Sequence, residues 1–179
     1  MGGGDKCLLP LAGRPVLAQV IDRIRPQVAA LALNANGDAT RFAGFGLQVV
    51  ADDAMDFAGP LAGILAALDW AQRTHPAAPG VLTVPADTPF LPLDFAVRLV
   101  AAGAPAIARS GARIHPVAGF WPMESAAALR TALRTEGLRK VGDWTARLTP
   151  SVVDFAAEPF DPFFNINTPE DLARAQSLL

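Results

Sequence analysis

Between Val16 and Ala102 two kinds of apolar pattern alternate, and no other feature narrows the fold as much. Val16, Leu17, Val20, Ile21 and Ile24 recur at helical spacing until Pro26. A strand-like run covers 28–33, Asp38 can cap a short helix to Phe42, and a third short strand covers 47–50. Gly59-Pro60-Leu61-Ala62-Gly63 opens a helix with Leu61, Ile64, Leu65 and Leu68 on one face. The run 81–84, bounded by Gly80 and Pro85, reads as a strand buried on both faces, and a helix over 93–102 follows. Helix and strand in strict turn predict a parallel sheet with covering helices.

Past Gly103 the rhythm changes. Strands are expected over 104–108 and 117–121, joined by a polar link that holds Arg113 and His115. Helices over 125–136 and 140–148 and a strand over 151–155 follow. Thr168-Pro169-Glu170-Asp171 combines an N-cap, a first-turn proline and first-turn acids, so a helix should run to the C-terminus. No repeat or linker divides the chain, and 179 residues suffice for one domain over 1–179.

Three of the strands end in oxygen-bearing side chains: Asn34 and Asn36, Asp52 and Asp53, and Asp87. Parallel strands bring their carboxyl ends to one sheet edge, where open α/β sheets bind ligands. Such a set suits a polar ligand or a hard cation. Magnesium takes few carboxylates beside substrate phosphates, which a residue such as Asp87 can satisfy. The alternative for Asp87 is an Asx turn before Pro89. Gly2-Gly3-Gly4-Asp5-Lys6 suits phosphate, because glycine lets backbone amides approach and lysine neutralises charge; a loose leader is the other reading. Neither a Walker motif nor a dinucleotide fingerprint occurs. Asn165 and Asn167 flank Ile166 as turn residues or as two amides on one face of an extended segment. Arg130, Arg134, Arg139, Lys140 and Arg147 make a basic region, read first as a solvated helix face. His115 beside Pro116 reads as a loop residue, and Cys7 as packing.

The net charge of −2 gives no reason to expect nucleic acid, and no apolar run reaches the length of a membrane span. A single cysteine fits a reducing compartment, so the cytoplasm is expected.

Taken together, MGGGDKCLLPLAGRPVL, the NAN at 34–36, GPLAG at 59–63, PADTP at 85–89, HPV at 115–117 and NINTPEDLA at 165–173 resemble the molybdenum cofactor guanylyltransferases. The resemblance runs in order through essentially the whole chain. It implies a Rossmann-like nucleotidyltransferase fold, three layers α/β/α with a mostly parallel sheet. It also implies transfer of GMP from GTP to the phosphate of molybdopterin or molybdenum-molybdopterin, with Mg²⁺ as cofactor and pyrophosphate released. Carried over by position, Lys6 and Asp87 are catalytic, and Asp87 holds the metal. Gly2, Gly3, Asn34, Asp52, Gly59, Pro60, Leu61 and Gly63 join them around GTP. Asn165 and Asn167 match acceptor-side positions, and Arg139 and Lys140 fall near a basic pair suited to the pterin phosphate. Molybdoenzymes or their chaperones are the implied protein partners. A cytidylyltransferase for the same pterin, or a nucleotidyltransferase with another acceptor, is the sibling reading.

One departure stands out. The family signature starts with an apolar strand running into Leu-Ala-Gly-Gly and continues to Arg-Met-Gly-Gly-x-Asp-Lys, whereas this chain starts at that internal methionine. The expectation is therefore an N-terminally truncated form from a misplaced start codon, lacking a strand beside 81–84. Its own activity is then in question, and a form reduced to partner binding is the non-catalytic alternative.

Overall fold

The computed structural model describes residues 5–52 and 59–179. After a 3-10 turn, Lys6–Leu8, two short antiparallel strands, β1 (Pro10–Leu11) and β2 (Arg14–Pro15), lead into α1 (Val16–Ile24). Val16, Leu17, Val20, Ile21 and Ile24 form the buried stripe of α1, as their spacing predicts. β3 (Ala32–Asn34) pairs in parallel with β4 (Gln48–Val50). Between them Asp38 caps a 3-10 helix, Ala39–Phe45, its carboxylate accepting from the Thr40 N–H.

Next come α2 (Pro60–Thr74), β5 (Gly80–Thr83) and α3 (Phe95–Ala101), then β6 (Ala106–Ser110) and β7 (Arg113–Pro122). The chain closes with α4 (Ser125–Arg134), α5 (Val141–Leu148), β8 (Ser151–Phe155) and α6 (Pro169–Ser177). Four strands form one sheet in the order β5-β7-β6-β8. β7 runs antiparallel to both β5 and β6, while β6 and β8 are parallel. The tight β6–β7 connection forces that reversal, because a link of this length cannot cross over to a parallel neighbour. Strand directions are therefore mixed within the layered α/β arrangement.

Alternate residues of the sheet face opposite layers. Ile107 and Trp121 pack with Leu61, Ile64, Leu68, Leu129, Leu133 and Trp144 of α2, α4 and α5. Ala106, Ala108 and Phe120 face Ile24, Phe95, Leu99, Phe155 and Phe163 on the other side. At the sheet's end, Leu11, Val16 and Phe90 pack with Ile166 and Ala175. That contact returns the C-terminal segment to the start of the chain.

Three expectations change. The strand expected over 28–33 pairs only at Ala32–Asn34, where β4 supplies a partner. The polar link containing Arg113 and His115 is part of β7, and His115 is buried. β5 is half-buried along its length, not enclosed on both faces. The cause lies beside it. Among the described residues β3 pairs only with β4 and β5 only with β7, so each keeps one open edge. A slot of about 330 Å³ separates them, lined by Leu17, Ile21 and Ile24 of α1 and by Gly63, Ile64 and Ala67 of α2. Residues 28–32 face 80–82 across its continuation, and 31–34 share the slot with 82–84, so β3 and β5 point the same way.

Gly80 shows how closely β5 and β7 approach. A Cβ there would sit 2.3 Å from the Trp121 carbonyl oxygen and 2.7 Å from Cε2 of Phe120. Backbone cannot yield as a flexible side chain can. Gly80→Ala is expected to cost about 1–3 kcal/mol of stability, a fall in Tm of roughly 3–10 °C. Thermal unfolding checks this, and a Tm within a degree of the parent would contradict the close approach.

Candidate active site

Asp87 lies four residues beyond the end of β5, at the strand's carboxyl end as expected. Its backbone carbonyl accepts the Ile166 N–H at 3.1 Å. That bond draws the 165–167 segment onto the loop after β5, and fully buried Ile166 anchors it in the apolar cluster with Leu11, Val16 and Phe90. The Asn165 side chain lies beside the Asp87 carboxyl and helps draw its pKa down. Lys6 Nζ donates to Asn167 Oδ1 at 3.1 Å. Lys6, Asp87, Asn165 and Asn167, up to 161 residues apart in sequence, thus gather at one place.

Burial pushes the Asp87 carboxyl above its usual range; its own backbone N–H, the Lys6 ammonium and Asn165 pull it partly back. Thr88 is fully buried, its hydroxyl donating to the Pro85 carbonyl at 2.9 Å. The turn that presents Asp87 is therefore fixed from beneath. Cys7, close by in sequence, is half-buried, and burial first and Asp5 second push its thiol up to about 11. It stays protonated at neutral pH, which agrees with a packing role.

A second cluster occupies the carboxyl ends of β3 and β4. Asn34 Nδ2 donates to Asp52 Oδ1 at 2.8 Å and to the Val50 carbonyl at 3.0 Å. Asn36 Nδ2 donates to Asp52 Oδ2 at 2.7 Å, while Asn36 Oδ1 accepts the Asp52 N–H at 2.9 Å. Both oxygens of Asp52 are thereby held in place. Asn36 was expected at this strand end, but its reciprocal bond with Asp52 was not: that bond spans two strands and leaves no local signature.

Gly59, at φ 128°, caps α2 in a conformation that suits glycine, and Pro60 follows at the first helical position. Leu61 is buried in the core, so its side chain supports the helix start rather than facing a ligand. Gly63 has a specific task. A Cβ on it would lie 2.5 Å from Asn34 Oδ1. Asn34, Pro60 and Gly63 line the same slot as Thr83, Val84 and Ala86, which brings the Asn34 end of the second cluster to the residues just before Asp87. Gly63→Ala is expected to displace the Asn34 amide from its bond to Asp52, with a small change in Tm because a side-chain end can move. A crystal structure of the variant together with thermal unfolding checks it; an unmoved Asn34 amide would contradict the close approach.

Arg139 and Lys140 lie between α4 and α5, where Arg139 donates to the carbonyls of Leu133 and Leu138. These bonds lead to the end of α4 and to the loop that follows it. In the same basic region Arg130 pairs with Asp69 and Arg147 with Glu136, both at 2.5 Å. Gly2, Gly3 and Asp53 lie outside the described residues. Among the described residues no three His, Cys, Asp or Glu side chains gather as a metal-holding set, and no helix is long and apolar enough to cross a membrane.

Known proteins share both the sequence and the fold. The MobA-like NTP transferase domain matches residues 1–149. The chain belongs to the MobA-like NTP transferase family. A molybdenum cofactor guanylyltransferase from Rhodopseudomonas palustris (strain BisB5) is 52% identical over 183 residues, covering 99% of this chain and 87% of its own. The Archaeoglobus fulgidus molybdopterin-guanine dinucleotide biosynthesis protein A superposes with a TM-score of 0.71 at 24% identity, covering 98% of this chain and 91% of that one. A Mycobacterium tuberculosis protein crystallised with manganese gives a TM-score of 0.72 at 22% identity, over 98% of this chain and 93% of that one. These structures carry the fold, and the Rossmann-like nucleotidyltransferase class expected from the sequence holds for this MobA-like chain.

Proposed function

We infer that this chain transfers GMP from GTP to the phosphate of molybdopterin, giving the guanine dinucleotide form of the cofactor and pyrophosphate. The observation that carries this reading is the similarity, over nearly its whole length, to a molybdenum cofactor guanylyltransferase. The meeting of Lys6, Asp87, Asn165 and Asn167 supports it.

The reaction is an in-line displacement at the α-phosphorus of GTP. An acceptor phosphate oxygen forms the new P–O bond as the bond to the β-phosphate bridging oxygen breaks. The nucleophile is already anionic, so no general base is required, and catalysis rests on positioning and charge neutralisation. Lys6 brings a positive charge to the phosphates. Asn34 and Asp52 face the nucleotide beside Gly59, Pro60 and Gly63, and Asn165 and Asn167 stand on the acceptor side. Asp87 fits a divalent cation of the magnesium kind: one half-buried carboxylate beside the Asn165 amide suits an ion that takes its remaining ligands from phosphates and water. Bound there, Mg²⁺ would offset the negative charge of the phosphates.

Residues 150–179 lie beyond the matched stretch, yet they return Asn165 and Asn167 to Asp87. This supports treating 1–179 as one nucleotidyltransferase domain. Molybdoenzymes or their chaperones are the proposed recipients of the product, and the cytoplasm its place of work.

Pyrophosphate release is the test, measured with molybdopterin and with GTP or CTP in parallel. The reading expects turnover with GTP at least tenfold above that with CTP. A preference for CTP would make the chain a cytidylyltransferase, and turnover with neither would remove the catalytic reading.

A further inference from the structure

Behind the 165–167 segment lies a buried polar group that the reaction does not use. Ser110 and His115 are both buried, with the hydroxyl 2.7 Å from His115 Nε2. Ser110 Oγ also donates to Asp161 Oδ1 at 2.7 Å. The same Asp161 oxygen accepts the Phe163 N–H at 2.9 Å, and the Asp161 carbonyl accepts the Phe164 N–H at 3.1 Å. The His115 ring stacks on Phe163, centroids 4.6 Å apart and planes 30° apart.

Proton counting fixes the donors. The Ser110 hydroxyl has one proton, and the Asp161 carboxylate accepts it. His115 Nε2 must then carry a proton and donate to Ser110 Oγ. The bonds run from His115 through Ser110 to Asp161, where the Phe163 N–H donates to the same carboxylate oxygen.

The sheet is distorted to permit this. Ile107 of β6 faces Gly119 of β7, yet the next residue, Ala108, faces His115. Pro116, Val117 and Ala118 bulge out of the ladder between them. Bulges re-aim side chains near functional sites, and this one turns His115 inward. His115, Phe163 and Asn165 line one cavity of about 110 Å³ together with Pro85 and Thr88, which hold the Asp87 turn.

We propose that Ser110, His115 and Asp161 are positioning residues that set the 161–167 segment against the Asp87 loop and so place Asn165 and Asn167 for the acceptor. The hydrogen bonds fix the start of the segment, Phe163 wedges into the aromatic cluster with Phe95 and Phe155, and the Ile166 N–H closes on the Asp87 carbonyl. This rests on the acceptor-side assignment of Asn165 made above. A displacement of about 1 Å at such a group can slow a reaction up to a hundredfold without any change in the chemistry.

The test compares Ser110→Ala, Ser110→Thr, His115→Phe and Asn165→Ala in the full chain. His115→Phe keeps a ring on Phe163 and removes only the donor. Ser110→Ala and His115→Phe should raise KM for molybdopterin or lower kcat about tenfold or more, leave KM for GTP within twofold, and speed hydrogen exchange of the Ile166 amide. Ser110→Thr, which keeps the hydroxyl, should restore both readouts. A fall in Tm with acceptor kinetics and Ile166 exchange unchanged would overturn the inference, as would equal losses toward GTP and molybdopterin. If Asn165→Ala impairs acceptor kinetics while Ser110→Ala does not, the inference fails alone. If Asn165→Ala has no effect, the acceptor-side assignment fails and the inference with it.

Discussion

Replacing Asp87 by asparagine is expected to lower kcat by about a thousandfold while leaving the protein folded. The change keeps shape and removes one negative charge. Asp87 contacts the rest of the site in two ways. Its backbone carbonyl takes the Ile166 N–H, which the substitution does not touch, and its side chain meets Asn165, which an amide can still meet. What asparagine cannot supply is a carboxylate for a divalent cation, and losing one preorganised electrostatic partner commonly costs a factor of 10²–10³. Stability should move the other way. Burial raises the Asp87 carboxyl above its ordinary 3.8, so the folded chain binds the proton more tightly than the unfolded one. Ionisation then disfavours the folded state once pH exceeds the raised value, and the effect disappears below the unfolded value. Asparagine does not ionise. In metal-free buffer at pH 7 the variant's Tm should equal or exceed the parent's, with the difference vanishing near pH 3. Turnover like that of the parent would take Asp87 out of the reaction, and a large fall in Tm would make it a structural residue.

The place of Asp87 at the carboxyl end of β5 was readable because a short apolar run ending in a carboxylate can be recognised locally. A carboxylate just past a buried-type strand has little structural reason to be there. Asn34 and Asp52 were readable on the same ground, each closing a short apolar run that can be recognised locally. The capping residues Thr168 and Asp171 were legible too, since a capping box is built within four residues, and both of its bonds are present. The route by which α6 brings Asn165 and Asn167 to Lys6 was not legible. It depends on Leu11, Val16, Phe90 and Ile166 finding one another across most of the chain. His115 was misread because the bulge at Pro116–Ala118 breaks the period-two pattern that marks a strand, leaving two polar residues that resemble a link. The enclosure of β5 was overestimated because its apolar run says what the strand prefers to touch, not whether a neighbour is present on each edge. The basic region shows the converse. Arg130 and Arg147 have partners on other segments, and charge density alone does not reveal that these charges are met by the protein's own carboxylates.

Lys6→Ala is the second large effect, expected to raise KM for GTP about tenfold and lower kcat about a hundredfold. Lys6 is exposed, and its ammonium has two neighbours whose behaviour depends on it. Asn167 Oδ1 accepts from it at 3.1 Å, so alanine leaves that amide free to turn away from the acceptor. Its charge also pulls the Asp87 carboxyl down against burial. Without it the carboxyl rises further, and the acid limb of the kcat/KM profile should move to higher pH. Loss of phosphate neutralisation alone would weaken GTP binding without moving that limb, so the pH profile separates the two contributions. Lys6→Arg keeps the charge but spreads it over a planar fork, and should recover most of the pH behaviour with less of the rate. Tm should change by a degree or two at most, because exposed polar pairs contribute about 0–1 kcal/mol. Unchanged kinetics in Lys6→Ala would contradict the assignment. A rate loss with an unmoved acid limb would leave Lys6 on the phosphates but uncouple it from Asp87, dividing the cluster where Lys6 meets the C-terminal segment.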